Sequence, residues 1–158
     1  MEILNIAENK NFKKLDDRTY LIVKTGRIVH IDNFDDDMLL HNYGKIEVFE
    51  PGLLCVDKKR NSITVFFLTN DGKKLFEAKA TEMEEMENRI YDMHAYGCSS
   101  GVLVTYWFYD QTHFYEYYTY NGAKIMSNDF DKIKEKVDKF EQGLPLYKNT
   151  SKDDSLEL

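Results

Sequence analysis

Apolar residues along this chain fall into short runs with period-two alternation, broken by polar turn residues, which predicts strands rather than long helices. Residues 18–24 read RTYLIVK and 27–31 read RIVHI, with Thr25-Gly26 between them. GLLCVD (52–57) and ITVFFLT (63–69) flank the polar segment KKRNS, and Asn70-Asp71-Gly72 leads into KLFEA. GVLVTYWFY (101–109) and FYEYYTY (114–120) flank DQTH, and Asn121-Gly122 leads into AKIM. Asn-Gly and Asp-Gly suit hairpin corners because glycine takes positive φ without steric cost.

The pattern recurs. Gly26, Gly72 and Gly122 stand 46 and 50 residues apart, a spacing that calls for a repeat reading. Gly52 to Gly72 spans 20 residues and Gly101 to Gly122 spans 21. Helical spacing follows each of the three strand groups. Thr81 with Glu84 makes a capping-box pattern, and Met83, Met86, Ile90 and Met93 then share one helical face. Phe130, Ile133, Val137 and Phe140 repeat that spacing behind Asn128 or Asp129 as the cap, while FDDDMLL after Ile31 offers one or two turns. His41-Asn42-Tyr43-Gly44 is echoed by His94-Ala95-Tyr96-Gly97. Phe49-Glu50-Pro51-Gly52-Leu53 is echoed by Phe140-Glu141-Gln142-Gly143-Leu144, which predicts the start of a fourth unit.

The expected fold is therefore α+β, mainly antiparallel β, with about three β-β-β-α units in one domain. That domain spans 1–148, with units near 12–48, 49–97 and 98–143, and 149–158 reads as a flexible tail because it is polar and lies beyond the last core residue, Tyr147.

These segments resemble the WG (KWG) repeat family of bacterial proteins, whose units combine an F-x-x-G-L strand, a strand pair around Trp-Gly, an Asp/Asn-Gly-Lys turn and an acidic Tyr/Phe-Asp segment. FEPGLLCVDKK, NDGKKLF, SNDFDKI and FEQGLPLYKN correspond to such pieces, and together they touch residues from about 18 to 149. The Trp-Gly pair is absent. Val65-Phe66-Phe67 and Glu116-Tyr117-Tyr118 stand in its neighbourhood, and the single tryptophan, Trp107, lies on the previous strand. The resemblance implies a repetitive β scaffold suited to interaction, with no catalytic residues to carry over.

Composition narrows the partner. The 28 acidic residues outnumber the 21 basic ones, for a net charge of -7, which argues against a phosphate backbone as ligand. The N-terminal MEILNIAENKNFKK lacks a basic region leading into an apolar run, so neither a signal peptide nor a membrane anchor is expected. Two cysteines, Cys55 and Cys98, are too few for a disulfide framework and point to a reduced, cytoplasmic setting.

Candidate chemistry is thin. Gly97-Cys98-Ser99-Ser100-Gly101 has a glycine-flanked nucleophile, but a nucleophile elbow joins a strand to a following helix, whereas here a helical pattern precedes and a strand follows. Of His41, Cys55, His94 and Cys98 only His94 and Cys98 stand close, where structural zinc sites draw on close ligand pairs, and Cys55 reads as core in an apolar strand. Asp32, Asp35, Asp36 and Asp37 lack the alternation and central glycine of a calcium loop. No phosphate-binding glycine loop occurs. No catalytic residue, metal or cofactor is expected, and the chain reads as a non-enzyme.

The aromatic hairpin is the feature that suggests binding. Nine of the fifteen residues from Tyr106 to Tyr120 are aromatic. Alternation assigns Val102, Val104, Tyr106 and Phe108 to the core, and leaves Trp107, Tyr109, Tyr115 and Tyr117 either under a helix or facing a partner. The leading expectation is a small cytoplasmic protein-binding module, of inhibitor or immunity type, that uses those four residues. The alternative is a small-ligand or nucleotide-sensing domain with a Tyr- and His-lined pocket. The partner's identity and the oligomeric state are not encoded in any motif.

Overall fold

The structure, a computed structural model, describes residues 3–4, 9–31, 44–59, 62–81, 90–142 and 146–147. It is mostly antiparallel β, with a single helix among the described residues. The chain divides into two compact units, Ala7–Glu82 and Met1–Ile6 with Met83–Leu158. The sequence reading places one domain over 1–148. In the second unit the first strand, β1 (Ile3–Leu4), runs parallel to the last, β13 (Leu146–Tyr147).

Unit Ala7–Glu82 holds two sheets. Strands β2 (Phe12–Asp16), β3 (Thr19–Ile22) and β4 (Ile28–His30) form a three-stranded antiparallel sheet. Strands β5 (Lys45–Phe49), β6 (Gly52–Lys59), β7 (Ser62–Thr69) and β8 (Lys74–Thr81) form a four-stranded antiparallel meander. Phe12, Ile22 and Ile31 pack with Val48, Leu53, Cys55 and Leu68 in one core, drawn from both sheets. The continuous apolar run of β6 follows from burial on both faces: Leu53, Leu54, Cys55 and Val56 are all inaccessible to solvent.

The second unit repeats the meander. Strands β9 (Ile90–Gly97), β10 (Gly101–Phe108), β11 (His113–Thr119) and β12 (Lys124–Ser127) pair in sequence order, and α1 (Phe130–Glu141) follows. Asp129 caps the helix, its carboxylate accepting from the Asp131 and Lys132 amides. Ile133 and Val137 bury against Leu103, Tyr115 and Tyr117, so the helix lies on one face of the sheet.

The two meanders share one register. Gly52 pairs with Thr69, Leu54 with Phe67 and Val56 with Val65; 49 or 50 residues later, Gly101 pairs with Thr119, Leu103 with Tyr117 and Thr105 with Tyr115. The corners match as well. Gly72 donates to Thr69 O (2.8 Å) and Thr69 donates to Lys73 O (2.8 Å); Gly122 donates to Thr119 O (3.1 Å) and Thr119 to Ala123 O (2.9 Å). Gly72 and Gly122 have φ of 86° and 101°, the left-handed conformation that this hairpin loop requires. Gly26 (φ 76°) closes a loop one residue longer, donating to Ile22 O. A fourth corner has the same bonding, with Gln111 (φ 76°) donating to Phe108 O and Phe108 to Thr112 O.

The helical expectations hold only in part. α1 and its cap stand where the third helical pattern predicts them. The second does not form at its ends. Thr81 pairs with Ser62 at the end of β8, and Ile90 and Met93 pair with Phe108 and Tyr106 in β9. Strand pairing along the full lengths of β7 and β10 overrides the local helical spacing. Residues 82–89, like FDDDMLL, His41, the Asp32–Asp37 cluster and the tail from 149, lie outside the described residues. Phe140 and Glu141 close a helix rather than opening a fourth unit's strand.

Candidate functional site

The four aromatic candidates divide by depth. Tyr117 is fully buried and Tyr115 is 8% exposed, both beneath α1. Tyr115 meets the Phe130 ring at 5.5 Å between centroids, and Tyr117 meets Phe140 at 6.1 Å. These two are core residues in this structure and offer no surface to a partner: the helix occupies the face that alternation assigns them. Trp107 is half-buried, and Tyr109 at the hairpin tip is 56% exposed. The opposite parity is buried at its Gly101 end, where Val102 and Val104 are inaccessible, and half-buried at Tyr106 and Phe108.

Trp107 sits in a row of rings that crosses three strands. His94 of β9 lies 4.7 Å from it and His113 of β11 lies 5.2 Å from it, centroid to centroid. Register sets Trp107 opposite His113, while His94, the partner of Thr105, reaches the indole diagonally on the same face. Asp92 is buried; its Oδ2 lies 3.2 Å from His94 Nε2, close in distance but without hydrogen-bond geometry. The Tyr115 hydroxyl is 3.4 Å from His113 Nδ1.

On the other face, Glu116 gathers a second cluster. Its Oε1 accepts from the Tyr106 hydroxyl (2.5 Å) and the Tyr118 hydroxyl (2.7 Å), and Lys124 Nζ stands 3.4 Å from Oε2. Burial, followed by those bonds to a carboxylate, holds both phenols well above the usual tyrosine range.

A third cluster, which the sequence does not advertise, closes the β9–β10 loop. Glu141, the last residue of α1, accepts from the Ser99 amide (3.1 Å), the Ser100 amide (2.5 Å), the Ser100 hydroxyl and the Tyr117 hydroxyl (3.2 Å). Ser100 Oγ also contacts the Tyr117 hydroxyl. The Tyr120 hydroxyl donates to Cys98 O (2.7 Å), and Cys98 donates to Gly101 O (2.8 Å). Cys98-Ser99-Ser100-Gly101 is thus a tight β-hairpin loop between two strands, which rules out a strand-to-helix elbow; the element before it is β9, not a helix. Burial, with Glu141 beside it, pushes the Cys98 thiol far above the ordinary thiol range, and burial does the same to Cys55 in β6. Among the described residues no group of three or more His, Cys, Asp or Glu side chains is placed to hold a metal ion. No helix among them is long and apolar enough to cross a membrane.

The useful sequence signal for these clusters lies in differences between the two meanders. Lys58 and Lys59 occupy the register positions of Trp107 and Phe108; Pro51 occupies that of Ser100, and Phe67 that of Tyr117. Compared with protein-family models, with curated proteins and with solved structures, the chain finds no match.

Proposed function

We propose that this chain is a small non-enzymatic binding module, built from three copies of a WG-like β unit, that holds another protein on the outer end of its aromatic hairpin. The observation that carries this reading is the replacement of Lys58 and Lys59 by Trp107 and Phe108 at matching register positions, with Tyr109 exposed beyond them. The scaffold closes equally well with lysines there, so folding does not demand the aromatics. Tyr and Trp suit binding centres because they bury large area and keep a polar tip. Thiols held protonated by burial support a non-enzymatic role. An inhibitor or immunity-type partner in the cytoplasm fits the short length and acidic balance of the chain.

The test is a pull-down from the native host with wild-type protein and with the Trp107→Ala/Tyr109→Ala double variant. A protein retained stoichiometrically by the wild type and lost by the folded variant supports the reading. Equal retention by both, or none by either, overturns it.

The His94–Trp107–His113 row favours a second reading, a site for a flat small ligand stacked beside Trp107. A thermal-shift screen separates the two, because a ligand at 100 times its dissociation constant adds about 2.7 kcal/mol of stability.

A further inference from the structure

We propose that the loop of residues 98–101, together with Tyr117, is a carboxylate-binding site, occupied in this structure by the chain's own Glu141. Four donors converge on that one carboxylate: the Ser99 and Ser100 amides and the Ser100 and Tyr117 hydroxyls. They come from two separate segments, and the carboxylate arrives from a residue 41 positions beyond Ser100. Charge-assisted bonds of this kind are stronger than neutral ones.

The register-matched loop shows that the hairpin does not need these donors. Residues 49–52 close the same two-residue turn, with Phe49 paired to Gly52. There Pro51 supplies neither an amide proton nor a hydroxyl, and Phe67 supplies no hydroxyl. Three of the four donors are therefore absent from a hairpin that pairs identically. That loop is tied instead through its carbonyls, which accept from the side-chain amides of Asn9 and Asn70. The donor set at 99–100 and 117 is matched to an anion, not to the turn.

The position of Glu141 makes it a displaceable occupant. It is the final residue of α1, where the helix dipole disfavours negative charge and where a helix opens at least cost. A competing acid needs only one carboxylate of acetate size, whether of a small molecule or of a chain end. This site is separate from the aromatic end of the hairpin, so it stands or falls independently of the protein-binding reading.

The experiment uses full-length Glu141→Ala, with thermal unfolding followed in sodium acetate and in sodium chloride at equal ionic strength and neutral pH. In chloride the variant melts below the wild type. Acetate raises its Tm saturably and by more than it raises that of the wild type, and adding Tyr117→Phe weakens the rescue. N-acetylglycine in place of acetate reports whether a chain terminus is accepted as well as a small acid; rescue by either supports the site. Identical behaviour of Glu141→Ala in acetate, N-acetylglycine and chloride overturns it. Should Glu141→Ala fail to fold in all three, Glu141→Asp carries the same comparison, because its shorter arm withdraws the carboxylate from the donors. An acetate-specific rise beyond that of the wild type then supports the proposal, and a response equal to the wild type's overturns it.

Discussion

The meander of β5–β8 and that of β9–β12 pair their strands in the same register yet differ at both ends. At one end, the Phe49 and Glu50 carbonyls accept from Asn9 and Asn70, whereas the Ser99 and Ser100 amides donate to Glu141. At the other, Lys58 and Lys59 stand where Trp107 and Phe108 stand. Between the ends the two agree. Thr69 and Thr119 both accept from the amide four residues on, at 3.2 and 2.8 Å, and Gly52 and Gly101 both lie against the neighbouring strand. What the backbone requires is shared; what differs is not required by the backbone, and those differences are where the proposed binding chemistry stands.

The shared part is tested most severely at the two glycines. A Cβ on Gly52 would lie 2.1 Å from Leu68 O, and one on Gly101 would lie 2.3 Å from Tyr118 O. The obstacle is backbone in both cases, so no side chain can swing aside. Gly52→Ala and Gly101→Ala should each cost about 3 kcal/mol or more, measured by urea unfolding with a probe in the affected unit. A large loss for one and less than about 1 kcal/mol for the other would break the equivalence.

Alkaline pH should separate the units. In the second, Cys98, Tyr106, Tyr117 and Tyr118 have folded pKa values raised, chiefly by burial. In the first, among the described residues, Cys55 is the group so raised. A raised value means the unfolded chain releases its proton first. The stability contributed by keeping these groups neutral is thus complete below the unfolded values, 9.0 for thiol and 10.0 for phenol, and is lost as pH climbs past them toward the folded ones. Hydrogen exchange followed above pH 9 by mass spectrometry of peptides from each unit should show residues 90–142 opening before residues 44–81. Simultaneous opening would remove the asymmetry.

Of intermediate size is the coupling within the loop cluster. Tyr117→Phe removes one donor to Glu141 and should cost about 1–2 kcal/mol in the wild type. In a Glu141→Ala background the same change should cost much less, because the acceptor is already gone. A double-mutant cycle measures the difference, and a coupling near zero would mean that the hydroxyl serves Ser100 alone.

The strands bounded by Gly26, Gly72 and Gly122 were legible because alternation and positive-φ glycine are local properties. So was α1, whose Asp129 cap and Ile133–Val137 spacing are contained in one segment. β9 was not: Ile90 and Met93 fit a helical face with Met83 and Met86, and only pairing to β10 decides for a strand. β2 was hidden by its polar content, since FKKLD buries only Phe12, and β5 by its length and its charged residues, since KIEVF carries Lys45 and a buried Glu47 among three apolar residues. Aromatic density pointed to Trp107, Tyr109, Tyr115 and Tyr117 alike, because the depth of Tyr115 and Tyr117 depends on where α1 lands. The Ser100–Glu141 contact joins segments 41 residues apart, and no local pattern encodes it.

The smallest effect concerns the fourth corner. Gly26, Gly72 and Gly122 fill the left-handed position of their hairpins, but the aromatic hairpin has Gln111 there, at φ 76°. A side chain in that conformation costs roughly 1–2 kcal/mol, part of which glycine would return as greater entropy of the unfolded chain. Gln111→Gly should therefore stabilise the second unit by about 0.5–1 kcal/mol, read as a rise in Tm. Gly122→Ala should show the converse, since nothing lies within 4 Å of its would-be Cβ and backbone strain is the whole cost. Strained conformations persist where surroundings hold them, often at functional positions. Gln111 stands two residues from exposed Tyr109, in the loop that presents it. If Gln111→Gly raises stability and weakens partner retention in the pull-down, the strain belongs to the presentation of the aromatic tip. If it raises stability and leaves retention unchanged, the corner is only an imperfect copy of the other three.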